Sequence, residues 1–171
     1  ARRDFAGTVH LIFQPAEEGL GGARTMIADG LFERFPCDTV FALHNAPPLR
    51  LGTAAVHSGP ACAGAARFTV EVRGHGGHAA TPHLTASPVS AAATLVPLIE
   101  AIPARRVQAS GMAVMTVASI NGGDAFNVVP DSVTLTGTAR AFDAPTMQAL
   151  EAELRRCCAG IDAAHGVTCD V

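Results

Sequence analysis

The chain has 171 residues, a formal net charge of −3 and 49% apolar residues, room for one domain or two small ones. Nothing in it forms a basic stripe for nucleic acid, and no apolar run approaches membrane-spanning length. The five cysteines, Cys37, Cys62, Cys157, Cys158 and Cys169, are odd in number and lack paired metal spacing. They read as free, mostly buried thiols of a protein kept in a reducing cytoplasm.

The sequence starts at Ala1, without methionine, just before an apolar run, so it reads as a piece of a longer polypeptide. Thr8 to Phe13, with β-branched Val9 and Ile12 and a stop at Pro15, predicts a buried strand. The strand runs into Glu17-Glu18-Gly19, and loops beyond the carboxyl ends of parallel strands converge on ligands. Two neighbouring carboxylates repel each other and call for a positive group nearby. Taken alone, the pair is better read as acids at the N-terminus of a helix opening at Gly21-Gly22-Ala23. Ala23, Met26, Ile27, Leu31 and Phe32 recur at helical spacing, with Gly30 near the end. Thr39 to Leu43 predicts a second buried strand that ends at His44, and Gly52 to Val56 a further one. Strand, helix and strand in that order imply a parallel α/β layer, with Glu17, Glu18 and His44 on one rim.

Around Ser58-Gly59-Pro60 the pattern changes. Phe68, Val70 and Val72 alternate with polar residues as a half-exposed strand, and Gly74-His75-Gly76-Gly77-His78 reads as a flexible loop. An apolar helix follows from Pro88 to Ile102, ended by Pro103. Its Ala91, Ala92 and Ala93 permit close packing against another surface. Met112 to Ile120 and Ser132 to Arg140 alternate as strands. Asp143-Ala144-Pro145-Thr146 starts a last helix with Leu150, Leu154, Cys157 and Ile161 on one face. Val167 to Val171 begins a final strand. The second half therefore spells β-α-β-β-α-β, a ferredoxin-like layer with two helices on one face.

Five stretches together are similar to the M20 metallopeptidases, in particular the N-acyl-amino-acid amidohydrolases that include hippurate and auxin-conjugate hydrolases. They are Gln14-Pro15-Ala16-Glu17-Glu18-Gly19, Leu43-His44, Gly76-Gly77-His78-Ala79-Ala80 with Pro82-His83, Asn127-Val128-Val129-Pro130, and Gly137-Thr138-Ala139-Arg140. They follow the family's order and span nearly the whole chain. The fold so implied is α/β: residues 1–58 are part of a zinc-peptidase-like catalytic domain. Residues 59–171 are a ferredoxin-like dimerisation (lid) domain, truncated at its last strand.

What the resemblance implies is a metal-dependent amidohydrolase acting on N-acyl amino acids or small peptides, with two divalent ions (zinc, manganese or similar) per complete site. Glu17 matches the general base, Glu18 and His44 match metal ligands, and His78 matches a histidine that supports the oxyanion. Asn127 and Arg140 match residues that hold the substrate carboxylate. The implied partners are the small substrate and a second copy of the chain, paired through the lid. Plainer readings stand beside these: His44 as a hydrogen-bonded loop histidine, His78 as a solvated one, and Arg140 as an exposed strand-end charge. His10, His57 and His165 carry no functional reading. The family's upstream Cys-x-His pair has no counterpart in this sequence, nor does its downstream ligand histidine. Ser87 stands where an aspartate is expected before Pro88. The piece alone is therefore expected to be inactive, and a non-catalytic ferredoxin-like dimerisation or small-ligand module is the competing reading.

Overall fold

The computed structural model describes residues 4–19, 21–56, 58–109 and 111–171, so His57 lies outside the described residues. The chain divides into two compact units, one up to Ala55 and one from Val56 to Val171.

In the first unit, helix α1 spans Gly22–Ala28 and a single helical turn, α2, spans Leu31–Arg34. One continuous helix was the expectation; Gly30, at φ 86°, breaks it by taking the left-handed conformation that glycine tolerates best. The three expected strands are not formed: Thr8–Phe13, Thr39–Leu43 and Gly52–Val56 carry no ladder among the described residues. The first two are irregular and together line a cavity of about 440 Å³, where His10 meets Phe35 edge-on at 5.3 Å. The physical reason is that a buried parallel strand depends on neighbours to bond both edges and cover both faces. Here Phe13 and Leu43 stand open to solvent.

The main sheet and the two long helices of the second unit are built as expected. Strand β1 is Gly64–Arg73, β2 is Gly77–His78, helix α3 is Pro88–Arg106 and β3 is Ala113–Asn121. Strand β4 is Val128–Val129, β5 is Ser132–Ala141, helix α4 is Ala144–His165 and β6 is Thr168–Asp170. The main sheet has the order β3-β5-β1-β6 and every pairing in it is antiparallel. β1 and β5 pair along their whole length, from Gly64 opposite Ala141 to Arg73 opposite Ser132. With α3 and α4 as the two crossovers, this is the ferredoxin-like β-α-β-β-α-β arrangement.

Alternate residues of the strands face the helices. Val70, Val72, Met115, Val133 and Leu135 pack with Leu95, Ile99 and Ile102 of α3 and with Leu150, Leu154 and Ile161 of α4. Each such side chain contributes about 1.5–3 kcal/mol on burial, which makes this core the main source of stability. Gly137 lets the Phe68 ring lie over the sheet, since a Cβ there would stand 2.2 Å from the ring. The caps are local chemistry: Asp143 Oδ1 accepts from the Thr146 N–H at 2.7 Å, and Ser87 Oγ accepts from the Ser90 N–H at 3.3 Å. Serine thus supplies the cap that the missing aspartate had put in question.

Four details differ from expectation. Helix α3 does not stop at Pro103 but continues to Arg106, and it accommodates Pro97 as well. Pro97 lies on the solvent side, where water can satisfy the carbonyl it leaves unbonded, and burial of Leu95, Ile99 and Ile102 holds the helix together. Ala91 and Ala92 are fully buried in the unit's own core and are not free to pack against a partner. On α4 Cys158 is the cysteine buried within the core, and Cys157 is only half-buried against it. Of the five thiols only Cys158 is buried, and Cys37 and Cys62 are exposed, so "mostly buried" does not hold.

Candidate functional site

The residues singled out from sequence fall on both units. Glu17 and Glu18 sit in a tight turn closed by the Gly19 N–H donating to the Glu17 carbonyl at 2.7 Å. The turn is strained: Ala16 has φ 50°, a left-handed conformation that costs a non-glycine residue about 1 kcal/mol or more. Behind it the chain folds back so closely that a Cβ on Gly22 would stand 1.7 Å from the Pro15 carbonyl oxygen. Only glycine fits there. Both carboxylates are exposed, and neither makes an ion pair or hydrogen bond to a described side chain. They do not cap α1, whose N-cap is Gly21 and whose first turn holds no acid.

His44 is exposed, with Nδ1 2.7 Å from the Asn45 carbonyl oxygen. A carbonyl can only accept, so Nδ1 carries the hydrogen and Nε2 is left with its lone pair. That is the tautomer in which imidazole ligates a metal while a backbone carbonyl orients the ring. Glutamate oxygen and imidazole nitrogen are the donor types that zinc and manganese take. Among the described residues no three histidines, cysteines or carboxylates form a group able to hold a metal ion, so Glu17, Glu18 and His44 are not gathered into one.

In the second unit, β2 and β4 form a separate two-stranded ribbon, with His78 opposite Val128. The ribbon replaces the flexible loop that its glycine-rich half predicts. It is well tied. The Ala79 N–H donates to the Asn127 carbonyl at 3.0 Å, and the Thr81 N–H donates to the His78 carbonyl at 2.9 Å. Gly76 donates its N–H to Asp131 Oδ1, and Gly74 donates to the Asp131 carbonyl, each at 2.8 Å. Asp131 is the residue that sequence reasoning missed. Its signal was a carboxylate directly after Asn127-Val128-Val129-Pro130, within reach of glycines whose amides are unhindered.

His78 shows the opposite tautomer to His44. The Ala80 N–H donates to His78 Nδ1 at 3.0 Å, so Nδ1 accepts and the neutral ring carries its hydrogen on Nε2. Nε2–H is then an outward donor. Asn127 precedes Val128 on the same ribbon, with its side chain exposed. Arg140 lies near the end of β5, and its Nη1 donates to the Ala139 carbonyl at 3.0 Å. The structure therefore brings His78 and Asn127 together, carries Arg140 on the main sheet, and holds Glu17, Glu18 and His44 in the first unit.

Residues 61–165 match the peptidase dimerisation domain of the M20 family. The chain belongs to the M20 family. Its M20 relatives include the hippurate hydrolase of Campylobacter jejuni, 38% identical over 98% of this chain and 44% of that protein. The N-acetyl-L-cysteine deacetylase of Bacillus subtilis is 42% identical over 80% of this chain and 32% of that protein. The chain thus spans less than half the length of these M20 relatives. A solved Bacillus subtilis protein, described as a dinuclear metal binding peptidase of the M20 family, superposes with a TM-score of 0.71. It is 29% identical over 92% of this chain and 38% of that one. A candidate aminohydrolase from methicillin-resistant Staphylococcus aureus superposes with a TM-score of 0.86, at 32% identity over 92% of this chain and 42% of that one. These matches bear out the M20 resemblance and the α/β fold. Among the described residues no helix is long and apolar enough to cross a membrane.

Proposed function

We propose that this chain is part of a metal-dependent amidohydrolase that cleaves the amide bond of N-acyl amino acids. The observation that carries the reading is the pair of opposed histidine tautomers. His44 presents a lone pair on Nε2, as a ligand must, and His78 presents an Nε2–H, as an oxyanion donor must. Relatives named as a hydrolase and a deacetylase support the reaction class.

Two divalent cations of the zinc or manganese kind, when bound, supply a water of lowered pKa and a Lewis acid for the carbonyl. Glu18 and His44 would hold them, with further donors from the longer polypeptide. Glu17 accepts a proton from the attacking water and returns it to the leaving amine. His78 Nε2–H donates to the oxygen that gains charge as the carbonyl is attacked. The Asn127 amide and the Arg140 guanidinium hold the amino acid's carboxylate; arginine offers it two parallel donors. The unit from Val56 onward pairs with a second copy, and His78 then serves the partner's site.

The roles of the two acids separate in the full-length enzyme. Glu17→Gln should lower kcat roughly 10²- to 10⁴-fold and leave metal content unchanged, because it removes a general base. Glu18→Gln should lose metal, because it removes an anionic ligand. Kinetics with metal analysis decides it: metal lost from Glu17→Gln, with Glu18→Gln unaffected, would reverse the roles. Service in trans is tested by exchanging subunits between Glu17→Gln and His78→Ala enzymes. Activity should return, since each mixed dimer then holds one intact site.

A further inference from the structure

Three phenylalanines lie in the second unit: Phe68, Phe126 and Phe142. Phe68 packs against the core and Phe142 is well over half covered, but Phe126 is fully exposed, at 101%. Leaving a whole aromatic ring in water forgoes one of the largest single contributions a side chain can make to stability. No disordered tail explains its position. Phe126 sits between two well-fastened points, both belonging to the connection from β3 to β4. On one side Gly122 is pressed so close to the chain that a Cβ would lie 2.8 Å from the Ser132 carbonyl oxygen, and Gly123 turns with φ 81° beside Pro130. On the other side is Asn127, whose carbonyl accepts the Ala79 N–H of the turn that follows His78. The ring is therefore held out from the same ribbon that carries His78 and Asn127. Val128, directly opposite His78, is itself half exposed.

We propose that Phe126 is a specificity-determining residue that covers the apolar substituent of the substrate. The proposal rests on the reading in which this ribbon delivers His78 and Asn127 to an N-acyl amino acid. A ring adjacent to a carboxylate-holding amide, and one short ribbon away from the oxyanion donor, lies within reach of the groups flanking the scissile amide. Those flanking groups are the acyl chain and the amino-acid side chain. Either one supplies the same chemistry, a flat or branched apolar surface that an exposed ring can bury. The ring makes no hydrogen bond of its own, so it selects by size and apolarity without touching the reacting atoms.

The test uses the full-length, metal-loaded enzyme with three probes: N-benzoylglycine, N-acetylphenylalanine and N-acetylglycine. Phe126→Ala should lower kcat/KM roughly 10- to 100-fold, mostly through KM, for the probe whose ring Phe126 covers. The benzoyl arm falling alone assigns Phe126 to the acyl group; the phenylalanine arm falling alone assigns it to the side chain. N-acetylglycine should stay within about twofold, and Phe126→Leu should recover part of the loss. The thermal midpoint should not move, because the ring buries nothing in its own unit. Equal losses on all three probes, or no loss on any, overturn the proposal. His78→Ala in parallel keeps the two readings apart. If wild-type enzyme cleaves none of the probes, or His78→Ala retains full activity, the amidohydrolase reading fails and takes Phe126 with it. An active wild type with a crippled His78→Ala and an unselective Phe126→Ala overturns the Phe126 role alone.

Discussion

The two units treat the same kind of residue in opposite ways. In the second, Val70, Val72 and Leu135 alternate along antiparallel strands and vanish into a core closed by α3 and α4. In the first, Val9, Leu11, Phe13 and Phe41 form equally apolar runs that remain exposed and bond to no ladder. Composition does not separate them; topology does. An antiparallel β-α-β-β-α-β layer finds every strand partner within its own hundred or so residues, whereas a parallel strand waits for neighbours brought by distant segments. The acid pair and His44 belong to the dependent unit, and the ribbon bearing His78 to the self-sufficient one.

The contrast can be broken by deleting side chains in the 171-residue chain. Leu95→Ala, in the second unit, should cost about 2–5 kcal/mol, because Leu95 is fully enclosed and its removal leaves a cavity. Phe13→Ala, 84% exposed in the first unit, should change stability by less than about 0.5 kcal/mol. Urea unfolding of both variants checks this, and equal losses would mean the first unit has a core of its own.

Next in size is a pair of glycines within the second unit. Gly137→Ala should destabilise by about 1–3 kcal/mol, since its Cβ would collide with the Phe68 ring and with the Thr116 carbonyl oxygen at 2.3 Å. Gly160→Ala on α4, where a Cβ meets nothing within 4 Å, should stabilise by about 0.5–1 kcal/mol. Thermal unfolding of the two variants should shift in opposite directions.

The smallest expected effect concerns the thiols. Burial pushes the Cys158 thiol up from 9.0 to about 11, and the Cys169 thiol upward as well. Unfolded chains therefore release these protons first. The stability they contribute is whole below pH 9 and is lost as pH rises toward 11. A mild alkylating reagent at pH 8.5 should label exposed Cys37 and Cys62 well before Cys158. Simultaneous labelling would show that α4 and β6 open as readily as the first unit.

Much of the second unit was legible in the sequence because its signals are local. Alternation in β1 and β5, the Asp143 cap and the Leu150, Leu154 and Ile161 face are all read within one element. The β2–β4 ribbon was not legible, because it pairs Gly77-His78 with Val128-Val129, two-residue strands some fifty positions apart and too short for any period. Pro103 misled for a related reason, since the burial that outweighs it comes from another layer. In the first unit the apolar runs were visible, but their lack of a ladder was not, because pairing is a property of neighbours. Of the site residues, the residue types could be read from the motifs; their hydrogen bonds could not. Only the hydrogen-bond partners in the fold distinguish the two ring nitrogens of His44 and His78.

That distinction makes the two rings unlike in how they are steered. The Ala80 amide reaches back to Nδ1 of His78 from within the same turn, so the ring's direction follows a turn that the Thr81 and Asn127 bonds hold in place. The His44 ring leans on the carbonyl of its own neighbour, so its direction follows the peptide that joins it to Asn45.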